Sequence, residues 1–552
     1  MEPLIFSKNS FSGGINQQVD ATRIGANEYP LLVNGRTRYD VVEAINAPQM
    51  VTSGLPLGGK YQGCYAAGSY LLVFISGEAY YQDYETPGAF TKIIGFLLDT
   101  TVEYLYAEQV PASTVNFLRA TASGATSITD SINFTSTTSP SPQAVVIQDG
   151  INQPWIIFPD GTARLCGTYA TWLTTNREYV PVGKQMLFAN GILYVISADG
   201  KLIFRSVSGR PLDFMVAINS TGDKISPDEL LGGARVVSHA VDYDVITCIK
   251  PSNTETNAVF VSTLRNSFLV VPSFELTVYG EPTFKNTYLF STGVNNQFSF
   301  ADVLGDSAFI DHTGIRQFNA VLSTRNEGKN SPFSAKLNPI FRDVAQGVSA
   351  TGELDNYTFF SVNTIYGPAV LVFDTLARVF SSVDIYAGIG PVKMFAQIKT
   401  STTRRLFFIT SDNALYEAFA SAAFETASLY IGEFCSNDPS VEQKLDMLKL
   451  VFIDALESGA VTVKLFVDRL EDKTQSENIL QNTTPSVVPV SPLPFGAATS
   501  DTVRNLLLKF SGSRQGWKVG FLISWNFDVS LSHVKLMSNP ITPNNSFEQQ
   551  AR

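Results

Sequence analysis

The chain has 552 residues, of which 44% are apolar, 12% aromatic and only 16% charged, with a formal net charge of −11. That composition excludes a disordered tail, which needs few aromatics and high charge, and a coiled coil, which is dominated by Ala, Glu, Lys and Leu. The acidity argues against a protein that grips nucleic acid, where clustered Lys and Arg must displace counterions from phosphate.

Along the chain, the start MEPLIFSKNS carries Glu2 where a signal peptide has basic charge, and no long apolar stretch follows. The longest apolar runs, such as residues 70–74 (YLLVF), are far shorter than the roughly 18 residues that cross a bilayer. No Sec signal and no membrane anchor are therefore expected. Residues 1–45 are polar, turn-rich and irregular, and read as an extended N-terminal strap.

Residues 46–430 read as short strands joined by tight turns. Tyr65–Tyr81 places two aromatic, β-branched runs around Ser76-Gly77, and Trp155–Cys166 turns at Asp160-Gly161. Gln185–Arg205 is divided by Asn190-Gly191 and Asp199-Gly200 into three strands. Asn-Gly and Asp-Gly are strong hairpin signals because both central residues of a type I′ turn need positive φ. Similar units follow at Asp306–Phe318, Tyr357–Phe380 and Arg405–Phe419. Repeated sheet-sized units that cannot bury both faces alone point to a β-propeller, with a stacked sandwich array as the other arrangement giving the same local text. The Ser/Thr-rich segment 121–142 interrupts the series, and residues 474–500 form a second Ser/Thr/Pro-rich stretch, both read as exposed loop or linker. The remainder, 431–552, reads as a separate C-terminal β-domain. Lys444–Glu457 admits a helical reading, but the alternation in Ala460–Asp468 favours a hairpin. The expected fold is all-β: a propeller-like unit with an N-terminal strap and a C-terminal β-domain.

Signals for chemistry are weak. Gly54 to Lys60 has the spacing of a phosphate loop, but Tyr61 follows where Ser or Thr would hold Mg²⁺, and a strand follows where a helix should begin. The three histidines, His239, His312 and His533, are far apart, and Cys64, Cys166, Cys248 and Cys435 show no metal or disulfide spacing. Asp302, Asp306 and Asp311 are acids that a glycosidase pair would need, yet they are equally turn residues. No catalytic residue, metal or cofactor is expected.

The informative stretch is Phe11, Gly13, Gly14, Ile15, Asn16 and Gln17, followed by Asn34 and Arg36. It resembles the N-terminus of the tail nozzle (tail tubular, or stabilisation) proteins of short-tailed bacteriophages. Ser206, Gly209, Pro211 and Phe214 are similar to that family's S-x-x-G-x-P-x-x-F element, and Gly314, Arg316 and Phe318 to its G-[VI]-R-x-[FL] strand. The C-terminal third carries no matching motif. The resemblance implies a non-enzymatic virion protein of a podovirus tail, made in the host cytoplasm. It also implies a homohexameric ring joining the adaptor or portal side and tail fibres to the ejection opening, through which double-stranded DNA passes without specific binding. In that reading Phe11–Arg36 contacts another protomer or the adaptor, and 121–142 docks or gates. Two rival readings are a receptor-binding or fibre-attachment protein that holds host surface glycan, and a propeller glycosidase.

Overall fold

The computed structural model describes residues 4–541 apart from several segments, the longest being 112–119, 126–142, 167–179, 215–234, 237–243, 322–332, 342–348, 435–441, 480–503 and 511–517. Seven antiparallel sheets follow one another in chain order. Their first strands are Tyr61–Ala67, Tyr106–Pro111, Gly183–Ala189, Ile246–Pro251, Phe300–Val303, Ala350–Leu354 and Val392–Lys399. Each sheet packs on the next through apolar side chains. Leu72 and Phe74 of the first sheet meet Val145 and Ile147 of the second, and Val110 and Val146 of the second meet Met186 and Val195 of the third. The seventh sheet then packs back on the first, with Met394 and Ile398 in one cluster with Leu71 and Val73. A series of sheets that closes on itself is a β-propeller, here with seven blades. The outermost strand of the last blade, Gln49–Met50, comes from the start of the propeller chain and pairs with Leu415–Glu417, so the ring is closed by hydrogen bonds as well as by packing.

The turns follow the sequence closely where both central residues tolerate positive φ. Asn190 and Gly191 sit at φ 54° and 77°, and Ser76 and Gly77 at 49° and 79°. A Cβ on Gly77 would stand 2.3 Å from the Leu98 carbonyl oxygen, so a side chain there collides as well as strains. Asp199-Gly200 departs from the expectation. Only Gly200 takes positive φ, because the Asp199 carboxylate accepts from the Ser197 hydroxyl and the Lys201 N–H and stabilises a different turn.

Beyond the propeller the chain forms a sandwich of two sheets. One contains Arg504–Lys509, Glu442–Ile453, Ser530–Ile541, Val41–Ala44 and Gly35–Arg38, with Leu4–Lys8 also on Ser530–Ile541. The other is continuous with blade six: after Val379–Asp384 come Leu31–Val33, Ala427–Phe434, Val519–Trp525, Gly459–Val467 and Leu470–Ile479, making nine strands in all. Trp525, Phe452, Leu448 and Val463 lie between the two sheets, in one core with Phe360 and Leu371 of blade six.

Two expectations need correction. Residues 4–44 are not a free, irregular strap, because their apolar residues supply strands to both sheets of the sandwich. Glu442–Ile453 is a single long strand with Leu445, Leu448, Leu450 and Phe452 buried, and Gly459–Val467 pairs with Leu470–Ile479 as the hairpin that the alternation in Ala460–Asp468 favoured. Residues 474–479 belong to the strand Leu470–Ile479 rather than to a linker, since their backbone pairs with Gly459–Val467. The Gly54–Lys60 segment leads into the strand Tyr61–Ala67, with no helix to cradle phosphate. Segment 126–142 lies outside the described residues.

Leu32 is fully buried in the strand shared by blade six and the sandwich. Leu32→Ala is expected to cost about 2–5 kcal/mol. In urea unfolding followed by tryptophan fluorescence, it should shift one cooperative transition rather than detach one unit from the other.

Candidate functional site

The N-terminal motif residues converge on the junction between blade six and the sandwich. Phe11 and Ile15 are buried in the common core. Gly14 has φ 72°, and a Cβ there would lie 2.7 Å from both the Phe380 carbonyl oxygen and the Val379 Cβ, so only glycine lets the backbone pass this close to blade six. Gly13 donates its N–H to the Asn27 carbonyl. Asn16 donates its side-chain amide to Glu28 at 2.8 Å, and Gln17 donates its own to the Pro30 carbonyl at 3.1 Å.

Asn34 and Arg36 do the fastening. Asn34, at φ 51°, donates its side-chain amide to the Ile385 carbonyl at 3.0 Å and accepts the Ile385 N–H at 2.7 Å, so its side chain imitates one more rung of sheet. Arg36 forks onto Asp384 with contacts of 2.9 and 2.6 Å, and its guanidinium lies within 5.7 Å of the ring centres of Tyr357, Phe359 and Phe419. Asp384 is completely buried and also accepts the Ser382 hydroxyl at 2.6 Å. A buried, bidentate, aromatic-flanked pair is where Arg cannot be exchanged for Lys without loss. Asp384 was not foreseen from sequence. Its only signal is an acid at the end of the strand Val379–Asp384.

The other motif residues are separate from this junction. Ser206 and Gly209 sit on blade three, where the Ser206 hydroxyl accepts the Leu193 N–H at 2.9 Å and Gly209 donates to the Gly191 carbonyl at 2.8 Å. Pro211 is buried beside them, and Phe214 fills the core between blades two and three. Gly314 and Arg316 belong to blade five, where Arg316 pairs with buried Asp311 at 2.5 Å. Asp306 accepts the Ser307 and Asn319 N–H groups, as turn acids do. Among the described residues no group of acids, His and Cys is placed to hold a metal.

A second site lies on the propeller axis, and sequence reading missed it. At one level the aromatic rings of Tyr104 and Tyr106, from blade two, meet Phe298, from the segment that leads into blade five, with centroids 5.3 and 6.2 Å apart. Beside them the buried Lys393 ammonium donates to Glu103 at 3.1 Å. Further along the innermost strands stand Glu108, Lys250, Asp302 and Glu353, from blades two, four, five and six. Glu108 accepts the Phe188 N–H of blade three at 3.0 Å, and Glu353 accepts the Asp302 N–H at 3.2 Å. Burial pushes Glu108 up to about 7, against the opposing pull of Lys250, and burial together with the Asp302 charge raises Glu353. No spacing could have exposed this group, because its members are separated by tens of residues and meet only when the ring closes.

No protein-family model matches the sequence, and no curated protein matches it. Among solved structures, the chain is similar to the N-terminal domain of Nup159 at 10% identity, over 75% of this chain and 93% of that one, with a TM-score of 0.24. The propeller described above rests on the sheets themselves.

Arg36→Ala should cost about 3–5 kcal/mol, because Asp384 is left buried and uncompensated. Replacing Arg36 and Asp384 together by Leu should cost less than the single change, a comparison that urea titration decides. For Glu108 the sign runs the other way. Its pKa is raised on folding, so the folded chain holds a proton that the unfolded chain has released, and stability falls as pH rises from about 4.5 to about 7. Glu108→Gln should therefore stabilise the protein by about 2 kcal/mol at pH 8, a gain that disappears near pH 4.

Proposed function

We propose that this is a structural protein of a podovirus tail, the nozzle or hub ring at the distal end, through which genome DNA leaves the particle. The observation that carries the reading is the place of the N-terminal motif: Phe11, Gly14, Ile15, Asn34 and Arg36 form the joint that welds propeller to sandwich. A motif spent on a joint suits a protein whose work is mechanical. The acidic composition is consistent with a wall that phosphate passes without adhering. Neighbours in this reading are further copies of the chain in a homohexameric ring, the adaptor or portal side above, and tail fibres. The passage for DNA would run between protomers, since Tyr104, Tyr106 and Phe298 close the axis of each propeller.

The strap is consumed within its own chain, so ring contacts would come from elsewhere on the surface. Leu57, Ile94 and Leu97 stand 95%, 78% and 60% exposed on loops of blade one, more apolar area than a monomer needs to show there. Negative-stain images of the purified protein should show six-fold rings with an open centre. A monomer or a trimeric rod would overturn the reading. Ile94→Asp is expected to leave the thermal transition in place while reducing the yield of rings. Deletion of residues 1–36 should instead prevent folding.

A further inference from the structure

The strap carries a device of its own, independent of any role in a tail. Gly14–Ile15 and Glu28–Tyr29 lie side by side as a short parallel pair. The Gly13 and Asn16 N–H groups donate to the Asn27 and Tyr29 carbonyls, so residues 18–26 form a loop closed at its base. The base is apolar, with Phe11, Ile15 and Tyr29 buried in the common core. The loop is the opposite. None of residues 18–26 whose side chains are described is buried, and Val19 stands 42% exposed. Burial therefore holds the base and contributes little to the loop.

Charge reaches from the loop to the sandwich. Asp20 accepts from Arg469 at 3.3 Å and from Lys518 at 3.2 Å, and the same two cations share Glu433 at 2.8 and 3.1 Å. The side chains of Arg469, Asp20 and Lys518 are 64%, 38% and 32% exposed, so water and salt reach these contacts.

The backbone adds a second, independent observation. Asp468 and Arg469 sit at φ 49° and 69°, a turn that glycine would make without strain. The Lys518 N–H donates to the Asp468 carboxylate at 2.9 Å, and the Asp468 N–H to the Lys518 carbonyl at 2.8 Å. The strained turn thus holds Arg469 and Lys518 as one pair in front of Asp20. Beneath the loop, a Cβ on Gly432 would stand 2.7 Å from the Ala21 carbonyl oxygen, so a glycine leaves the loop backbone room to lie on the sheet.

We propose that residues 18–26 are a latch released by ionic strength, closed on Arg469 and Lys518 in dilute salt and lifted from Gly432 in concentrated salt. Raising salt from about 0.1 to about 1 M shortens the screening length from about 10 to about 3 Å, which weakens the Asp20 contacts. The buried Arg36–Asp384 pair and the core around Phe11 feel little of that change, so lifting stops at the base. Release bares Gly432 and leaves two cations sharing one carboxylate, so the sandwich surface there changes in shape and in charge.

Trypsin cleavage of the full chain after Arg23, read by mass and normalised to a free peptide of residues 18–29 in the same salt, tests this. When opening is fast, that rate follows the population of the open loop. It should rise about tenfold between about 0.05 and about 1 M NaCl, while cleavage after Arg36 and Arg38 stays slow. Asp20→Asn, at an exposed position, should already be cleaved about tenfold faster in dilute salt and show little further rise. Arg469→Gly, which relieves the turn, is the second variant and should behave in the same way. A rate that ignores salt in the unaltered chain, or a full salt response retained in both variants, overturns the proposal. So does cleavage after Arg36 that accelerates in step with Arg23, because the strap would then leave as a whole.

Discussion

One strand of three residues holds the architecture together. Leu31–Val33 lies parallel to Val379–Asp384 on one side and antiparallel to Ala427–Phe434 on the other, so blade six and the sandwich share a sheet only because the strap fills the gap between them. The parallel side is thin, a single register pair between Val33 and Val383. Three residues of ladder cannot resist the entropy of a long chain, since ordering one residue costs about 1–2 kcal/mol. The side chains around it make up the difference. Tyr29 donates its hydroxyl to the Ser381 carbonyl at 2.7 Å, Asn34 adds its two bonds to Ile385, and Arg36 locks onto Asp384 just beyond. The polar contacts set the register, and the burial of Phe11, Leu32 and Val383 supplies the driving force.

That arrangement explains why the first forty-odd residues look irregular in sequence. A segment that adds one short strand at a time to sheets built by other parts of the chain has no periodicity of its own. Leu31–Val33 takes its alternation from two neighbours hundreds of residues away, and Leu4–Lys8 takes its own from Val534–Ser538. The hairpins of the propeller are the opposite case. Asn190-Gly191 and Ser76-Gly77 carry their conformational requirement in the two residues themselves, so the turns and the strands beside them were legible. Seven blades were not countable from sequence, because some turns depart from the pattern, as at Asp199-Gly200, and loops of unequal length hide the period.

Chemistry was less legible than fold for a physical reason. In a propeller the innermost strands converge, so groups that act together come from different blades, one or two residues each. Glu108 and Glu353 have no relation in sequence, yet a single ammonium, that of Lys250, acts on both. Of the acids that did stand out, Asp302, Asp306 and Asp311, the last two are held locally, Asp306 by a turn and Asp311 by Arg316. Of the motif residues, Gly14, Asn34 and Arg36 could be recognised as special but not explained. Their meaning depends on Val379, Ile385 and Asp384, which no spacing connects to them.

The two sites also divide the work of the fold. At the junction Arg36 and Asp384 satisfy one another, and the strap cannot leave without exposing Asp384, which makes propeller and sandwich one mechanical body. At the axis the balance differs: burial raises Glu108 and Glu353 against the opposing pull of Lys250. Burying a carboxylate opposes folding, and an apolar residue in its place would not. Rigidity at the junction lets the protein carry that cost at the axis, in the way that active and binding sites generally draw on stability supplied elsewhere. The buried acids at the axis are therefore carried by a joint that belongs to another part of the chain, Arg36 on Asp384 and the strap packed around it.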